Sequence, residues 1–472
     1  MDLETDQWVV QINEKLKSHE SSSMEIQKWE KHCIYALPSC VADLKKKAYE
    51  PQTVSFGPYH HMKEHVKAME EHKHRALIHF LRRCGKPLKF LIESMAKVEQ
   101  GLGDCYKELD DQWKGKKEKE KENNDHSFLK MMIVDGCFML EVLRSADRDN
   151  NNGGDYADND PVFSGHGKLY VMPYIKRDML MLENQIPMTV LEILMEFEGN
   201  NNTQNPEFLN ELILKFLCPN IPIHRNFGKC LHVLDLFRKS LLQHEPTHPT
   251  IIPKKITSSK HHQEQDEIII PSARELQETG IIFKPSKTHS LKDVSFHGGI
   301  LRIPSIIIDD STETTLLNLI AFERMHVGAG NEVSWFVFFM DNIIDNEVDV
   351  VILHQKGIIQ NALGSDKAVA KLFNSLSKDL AVDREEGGLD IVQVSVCRYC
   401  KKPWNKWRAN LIETYFRNPW AIVSLVAAIF LFVLTIIQTV YTIVPFYHED
   451  NSNNPSPPAA RAFIPRVPRP HL

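Results

Sequence analysis

The run from Trp420 to Val444, WAIVSLVAAIFLFVLTIIQTVYTIV, constrains this chain more than any other stretch, because it carries no charged residue. At ~1.5 Å rise per residue a helix of this length reaches about 37 Å, enough to cross a hydrocarbon core of roughly 30 Å with some tilt. A buried core helix normally shows a polar stripe and is rarely apolar on every face. Trp420 and Tyr441 stand near the two ends, where amphipathic rings prefer the headgroup level. The expectation is a single membrane anchor over 420–444, whose partner is the lipid bilayer. A basic juxtamembrane helix over 401–419 precedes it and a Pro-rich tail over 445–472 follows.

The flanks set an orientation. Lys401, Lys402, Lys406, Arg408 and Arg417 lie before the run, whereas His448, Glu449 and Asp450 follow it. Positive charge stays cytoplasmic, so the N-terminal region is expected in the cytosol and the tail outside, at the plasma membrane or an endomembrane. Arg461, Arg466 and Arg469 in the tail pull the other way. The start, MDLETDQWVV, is acidic and lacks a basic flank with an apolar core, so it does not read as a signal peptide. Nine cysteines, odd in number and scattered, suit a reducing compartment better than a disulfide framework. A formal net charge of −6 gives no basic character, so nucleic acid is not an expected partner.

The stretch before the anchor is mainly helical, giving a mainly α fold with a small β-sheet (α+β). Met24–Cys33 reads as a short helix and Lys47–Tyr59 as an extended segment ending in Gly57-Pro58. From His61 to Arg83, Met62, Val66, Met69, Leu77 and Phe80 recur at helical spacing. Phe90–Trp113 continues as helix until the charged run GKKEKEKENN. SFLKMMIVDGCFMLEVL (Ser127–Leu143) is too apolar for a surface helix and is expected at the centre, and the Asn/Asp/Gly-rich stretch after it is a loop. Arg177–Glu198 reads as a core helix that Pro187 kinks or splits, and Lys229–Gln243 as another.

The texture then changes. Ser272 and Glu275 form a capping box, with Gly280 placed to stop that helix. Ile281–Phe283, Val294–Phe296, Leu301–Ile303 and Ile306–Ile308 read as short strands, with Gly298-Gly299 as a hairpin turn. Asp310 and Glu313 cap a helix through Phe322, further helices run to Leu376, and a helix from Trp404 to Phe416 leads into the anchor.

Four constellations touch chemistry. HEPTH (His244–His248) matches a zinc-protease pattern, but Pro246 inside it forbids the helix that would bring two His onto one face. His61, His65, His72 and His79 fall on one stripe if their segment is helical, and are read as boundary residues with no metal. Cys397-Arg-Tyr-Cys400 lacks two further zinc ligands at the usual spacing. No cofactor motif is present. Glu141, Glu183 and Asp309-Asp310 are carboxylates within apolar elements and need partners. Pairing with Arg177 or lysines is favoured over catalysis, because no nucleophile or Gly-rich phosphate loop accompanies them.

Eight stretches resemble, in consistent order, the plant domain-of-unknown-function-247 family: AYEPQTVSFGPYHH (48–61), MEEHK (69–73), DGCFMLE (135–141), RDMLMLENQIP (177–187), IPSIIIDDSTE (303–313), NLIAFE (318–323), DVVILHQKGII (349–359) and YFRNPWAI (415–422). The likeness runs from Cys33 into the anchor. Met62 stands where a Gly usually follows the paired His, and Met188-Thr189 replaces an aromatic pair. The resemblance implies an N-terminal lead over 1–30, a family domain over 31–400 and a plant membrane protein with no assigned chemistry. Some relatives take part in pollen–stigma self-incompatibility. The expected function is membrane-tethered recognition or signalling with protein partners. The alternative is a membrane-anchored enzyme using His60, His61, Glu141 and Glu183, which would then meet in one pocket.

Overall fold

The computed structural model describes residues 8–10, 12–13, 29–110, 112–113, 127–146, 156–199, 206–219, 226–243, 270–380, 389–416 and 419–449. Met24–Cys33, GKKEKEKENN, Asn201–Thr203 and His244–Asp266 with its HEPTH match fall largely or wholly outside those residues. Among the described residues the chain is mainly helical with two small sheets, and it divides into two units, Met1–Lys402 and Pro403–Leu472.

The first unit is built on α3 (Ser127–Ala146), which is buried from Phe128 to Leu143 save the exposed Lys130. Around it pack α1 (Met69–Cys84), α2 (Leu88–Ala96), α5 (Met188–Glu198) and α6 (Pro206–Leu217). A helix apolar on all sides must be enclosed on all sides. Gly136 lets α5 come close, because a Cβ there would lie 2.6 Å from Leu194 Cδ1 and 2.8 Å from Val190 Cγ1. Between them in sequence lies α4 (Met172–Asp178), and α7 (Val233–Leu242) follows α6.

After α8 (Ala273–Glu278), which begins with the expected Ser272–Glu275 capping box, come the strands. Strands β1 (Ile282–Pro285), β2 (Ser295–His297) and β3 (Ile300–Ile303) form a sheet in the order β1-β3-β2, with Gly298-Gly299 turning β2 back onto β3. Strand β1 runs parallel to β3, Ile282 opposite Ile300, and β2 runs antiparallel, Phe296 opposite Leu301. Strand β4 (Ile306–Ile308) belongs to a second sheet, paired in parallel with β5 (Ile359–Asn361), a strand sequence reading missed. Helices α9 (Thr312–Met325), α10 (Glu332–Ile343), α11 (Glu347–Gln355) and α12 (Asp366–Leu376) pack together, and α13 (Leu389–Cys400) lies on β2. In the second unit α14 (Pro403–Phe416) precedes α15 (Pro419–Glu449). Within α15, Trp420–Val444 is long and apolar enough to cross a membrane.

Several expectations need correction. The segment expected to be extended from Lys47 is so only from Glu50, because Lys46–Tyr49 forms a helical turn. The helix expected from His61 begins only at Met69, after turns that follow Met62 in the left-handed region (φ 59°), so His61 and His65 lie off any helical stripe. Phe90–Trp113 breaks after Ala96 and again after Asp104, where the backbone turns to pair with Cys33 and Ile34. Arg177–Glu198 opens over 179–187, a wider gap than a Pro187 kink. The cause is side-chain competition for backbone: Gln185 Nε2 donates to the carbonyls of Met179 and Met181, and Asn184 Nδ2 to that of Asp178. Finally, Asp309 rather than Asp310 organises the start of α9, its Oδ1 accepting from Ser311 N, Ser311 Oγ and Thr312 Oγ1.

Candidate functional site

The segment from Glu50 to His60 crosses the first unit without a strand partner, and most of it is buried. Buried backbone groups need partners, and here side chains from the 178–185 stretch supply them. Asp178 Oδ2 accepts from the amides of Gln52 (3.0 Å), Thr53 (2.6 Å) and Val54 (3.1 Å). Asn184 Oδ1 accepts from Phe56 N at 2.6 Å while its Nδ2 donates to Val54 O at 3.0 Å. Gly57 N donates to Asp135 Oδ2 at 2.8 Å, and Gly57 holds a φ of 73° with Gln185 O only 2.7 Å from where a Cβ would stand. Burial pushes the Asp178 carboxyl up, against the opposing charge of Arg177 and the amides it accepts from.

Lys73 lies beneath this segment, fully buried in the middle of the face that Met69, Ala76 and Phe80 make apolar. Its Nζ donates to Asp135 Oδ1 (2.8 Å), Glu70 Oε1 (2.6 Å) and Ser55 Oγ (3.3 Å), three acceptors for three donors. Burial raises the Asp135 carboxyl and the Lys73 charge lowers it. Sequence reading passed over Lys73. Its signal was present, since Met69, Lys73, Ala76 and Phe80 recur at i, i+4, i+7 and i+11.

Of the four residues the sequence offered, two meet. His60 Nε2 lies 2.9 Å from Glu183 Oε2, and Glu183 Oε1 accepts from Leu37 N at 2.6 Å. Lys63 Nζ stands 2.9 Å from His60 Nδ1. An ammonium only donates, so Nδ1 accepts and Nε2 carries the proton given to Glu183. Both ring nitrogens are thus engaged. At the outer side Glu50 pairs with Lys63 (3.6 Å) and Lys46 (3.8 Å). Glu141 takes its partners elsewhere, from Arg83, Arg144 (3.1 Å) and the Tyr156 hydroxyl (3.0 Å). Arg177, a partner considered for Glu183, pairs with Asp178 instead.

His61 packs edge-on against Trp113 with ring centroids 5.3 Å apart. Burial lowers the affinity of His61 and His72 for a proton. Among the described residues no cluster of three or more His, Cys, Asp or Glu side chains is placed to hold a metal. Cys400 Sγ lies 3.5 Å from Thr279 Oγ1, and burial pushes the Cys397 thiol up. Separate from these residues is a small groove lined by Val41, Leu44, Leu317, Ile320, Leu376 and Leu380, with Lys45 and Arg324 also in its lining.

Fold and site together define a class: an α+β domain held by buried side-chain-to-backbone bonds, followed in the sequence by one long apolar helix. Its motifs are those of a family whose model, described as a plant protein of unknown function, matches residues 34–434. The chain belongs to that family, DUF247. It is 30% identical to the UPF0481 protein At3g47200 of Arabidopsis thaliana over 455 residues, covering 90% of this chain and 89% of that one. It is 22% identical to the putative UPF0481 protein At3g02645 of the same plant, covering 91% and 93%. No solved structure matches the chain.

Proposed function

We propose that the chain is a membrane-tethered recognition protein, whose apolar helix inserts in a bilayer and whose larger unit, on the cytosolic side, binds other proteins. The observation that carries the reading is how the family motifs spend their polar atoms. Asp178, Asn184 and Gln185 hold backbone, Lys73 is closed by three acceptors, and His60 has both ring nitrogens engaged. A general base needs a free lone pair within reach of a substrate proton. The enzyme alternative has one point in its favour, the His60–Glu183 contact, but Glu141 and His61 stand with other partners. Signalling, and a part in cell–cell recognition such as pollen–stigma self-incompatibility, extend the reading by family resemblance.

The tether is tested by ending the chain before Trp420. The full chain is expected to sediment with membranes and resist alkaline carbonate, and the shortened one to remain in the supernatant with its fold intact. A shortened chain that still resists carbonate extraction overturns the reading.

A further inference from the structure

Cys33 and Cys105 are both free thiols, far apart in sequence and joined by backbone. Ile34 and Tyr106 form an isolated parallel bridge, which makes Cys33 and Cys105 the adjacent pair in the same register. Cys105 O accepts from Cys33 N at 2.9 Å and from Ile34 N at 3.0 Å, and Ile34 O accepts from Lys107 N at 2.9 Å. Paired backbones of this kind hold Cα atoms within the roughly 4.4–6.8 Å that a disulfide spans. Cys105 Sγ donates to Gly101 O at 3.3 Å.

We propose that Cys33 and Cys105 form a redox-active dithiol that takes low-molecular-weight disulfides of the glutathione class and closes into an intrachain disulfide. The inference goes beyond the membrane-tethered reading and does not depend on it.

The two sulfurs are unequal. Cys33 is buried at 3% exposure, whereas Cys105 is partly exposed. The neighbouring Cys33 side chain holds the Cys105 thiol below its ordinary range against the effect of burial, and Lys229 acts in the same direction. Cys105 is therefore the attacking thiolate. It attacks one sulfur of oxidised glutathione, forming a mixed disulfide, and the expelled glutathione thiolate takes up the proton that Cys105 released. Before this step Cys33 is held far up, first by the neighbouring Cys105 side chain and then by burial. Capping Cys105 removes that thiolate and the first of those causes. Cys33 then attacks the Cys105 sulfur, the second glutathione leaves with the proton from Cys33, and the protein disulfide closes. Two protein thiols are oxidised and one glutathione disulfide is reduced to two thiols.

The experiment is to equilibrate the full chain, in detergent or membranes, with mixtures of reduced and oxidised glutathione, then block free thiols and map linkages in a non-reducing digest. The expected result is a peptide joining Cys33 to Cys105, titrating with the glutathione ratio and reversed by excess thiol. In Cys33→Ser the mixed disulfide at Cys105 should accumulate, and in Cys105→Ser neither adduct nor link should form at Cys33. The linkage map needs no variant, so a Cys33→Ser chain that fails to fold leaves the test standing. An oxidised wild-type chain in which exposed Cys40 carries glutathione and Cys33–Cys105 remains reduced would overturn the proposal, as would adduct at Cys105 that never resolves to the link.

Discussion

Lys73 shows how much a single residue decides here. A fully buried ammonium survives only because Asp135, Glu70 and Ser55 close around it. Lys73→Met keeps the length of the side chain and leaves Asp135, itself fully buried, without its cation. The expected loss is about 3–5 kcal/mol, the usual cost of breaking a buried pair from one side. Adding Asp135→Asn should recover part of it, because Asn can still accept from Gly57 N. Denaturant unfolding of the two variants against wild type measures both effects. A Lys73→Met chain as stable as wild type would mean that the pair is not what holds this layer. At this scale the sequence was least legible. It showed that carboxylates inside apolar helices need partners, but the partners of Asp178 and Asn184 are amides more than a hundred positions away. Spacing within one helix cannot reveal a contact of that kind.

Elements were easier to read, and their errors share one cause. The apolar run over Ser127–Leu143 announced a central helix, and the Ser272–Glu275 box marked a helix start that the structure contains. Periodicity failed where side chains or distant backbone outbid the local helix: at 179–187, held open by Asn184 and Gln185, and at Cys105–Lys107, drawn to Cys33 and Ile34. Helix α7 starts late for a similar reason, and its start is sensitive to pH. His232 caps it, Nδ1 accepting from Asp235 N at 3.2 Å while Nε2 faces Cys33 O at 3.1 Å. This geometry requires neutral imidazole, and burial lowers the His232 pKa from 6.5 to about 4, with nearby Asp235 opposing and His326 and Lys239 assisting. The unfolded chain therefore binds more protons than the folded one between those values. The contribution is fully present above about pH 6.5 and is lost as the pH falls toward 4, by up to about 3 kcal/mol. His326, also lowered by burial, slopes the same way. His232→Asn keeps an acceptor at the cap and removes the titration, so its unfolding free energy should fall less steeply over that window than wild type. Parallel curves would assign the acid sensitivity to other groups.

At the scale of the whole molecule, the proposed tether carries an expectation about which side of a bilayer the larger unit faces. Trp420–Val444 has the length and composition to cross, and its described side chains from Trp420 to Val444 are predominantly exposed. Orientation rests on charge: Lys401, Lys402, Lys406, Arg408 and Arg417 before the run, against Glu449 and Asp450 just after it. The sequence carries its own reporter in Asn201-Asn202-Thr203, a glycosylation sequon in a polar stretch outside the described residues. With the basic flank in the cytosol, Asn201 never meets the glycosylation machinery, and a sequon built into Asn451–Pro458 does, provided it stands far enough from the bilayer. The expected outcome in a plant cell is no glycosidase-sensitive mass on the natural chain and a clear shift on the tail variant. The same orientation would keep Cys33 and Cys105 within reach of the cytosolic glutathione pool. A glycan on the natural chain that disappears in Asn201→Gln would place the larger unit outside and reverse the topology.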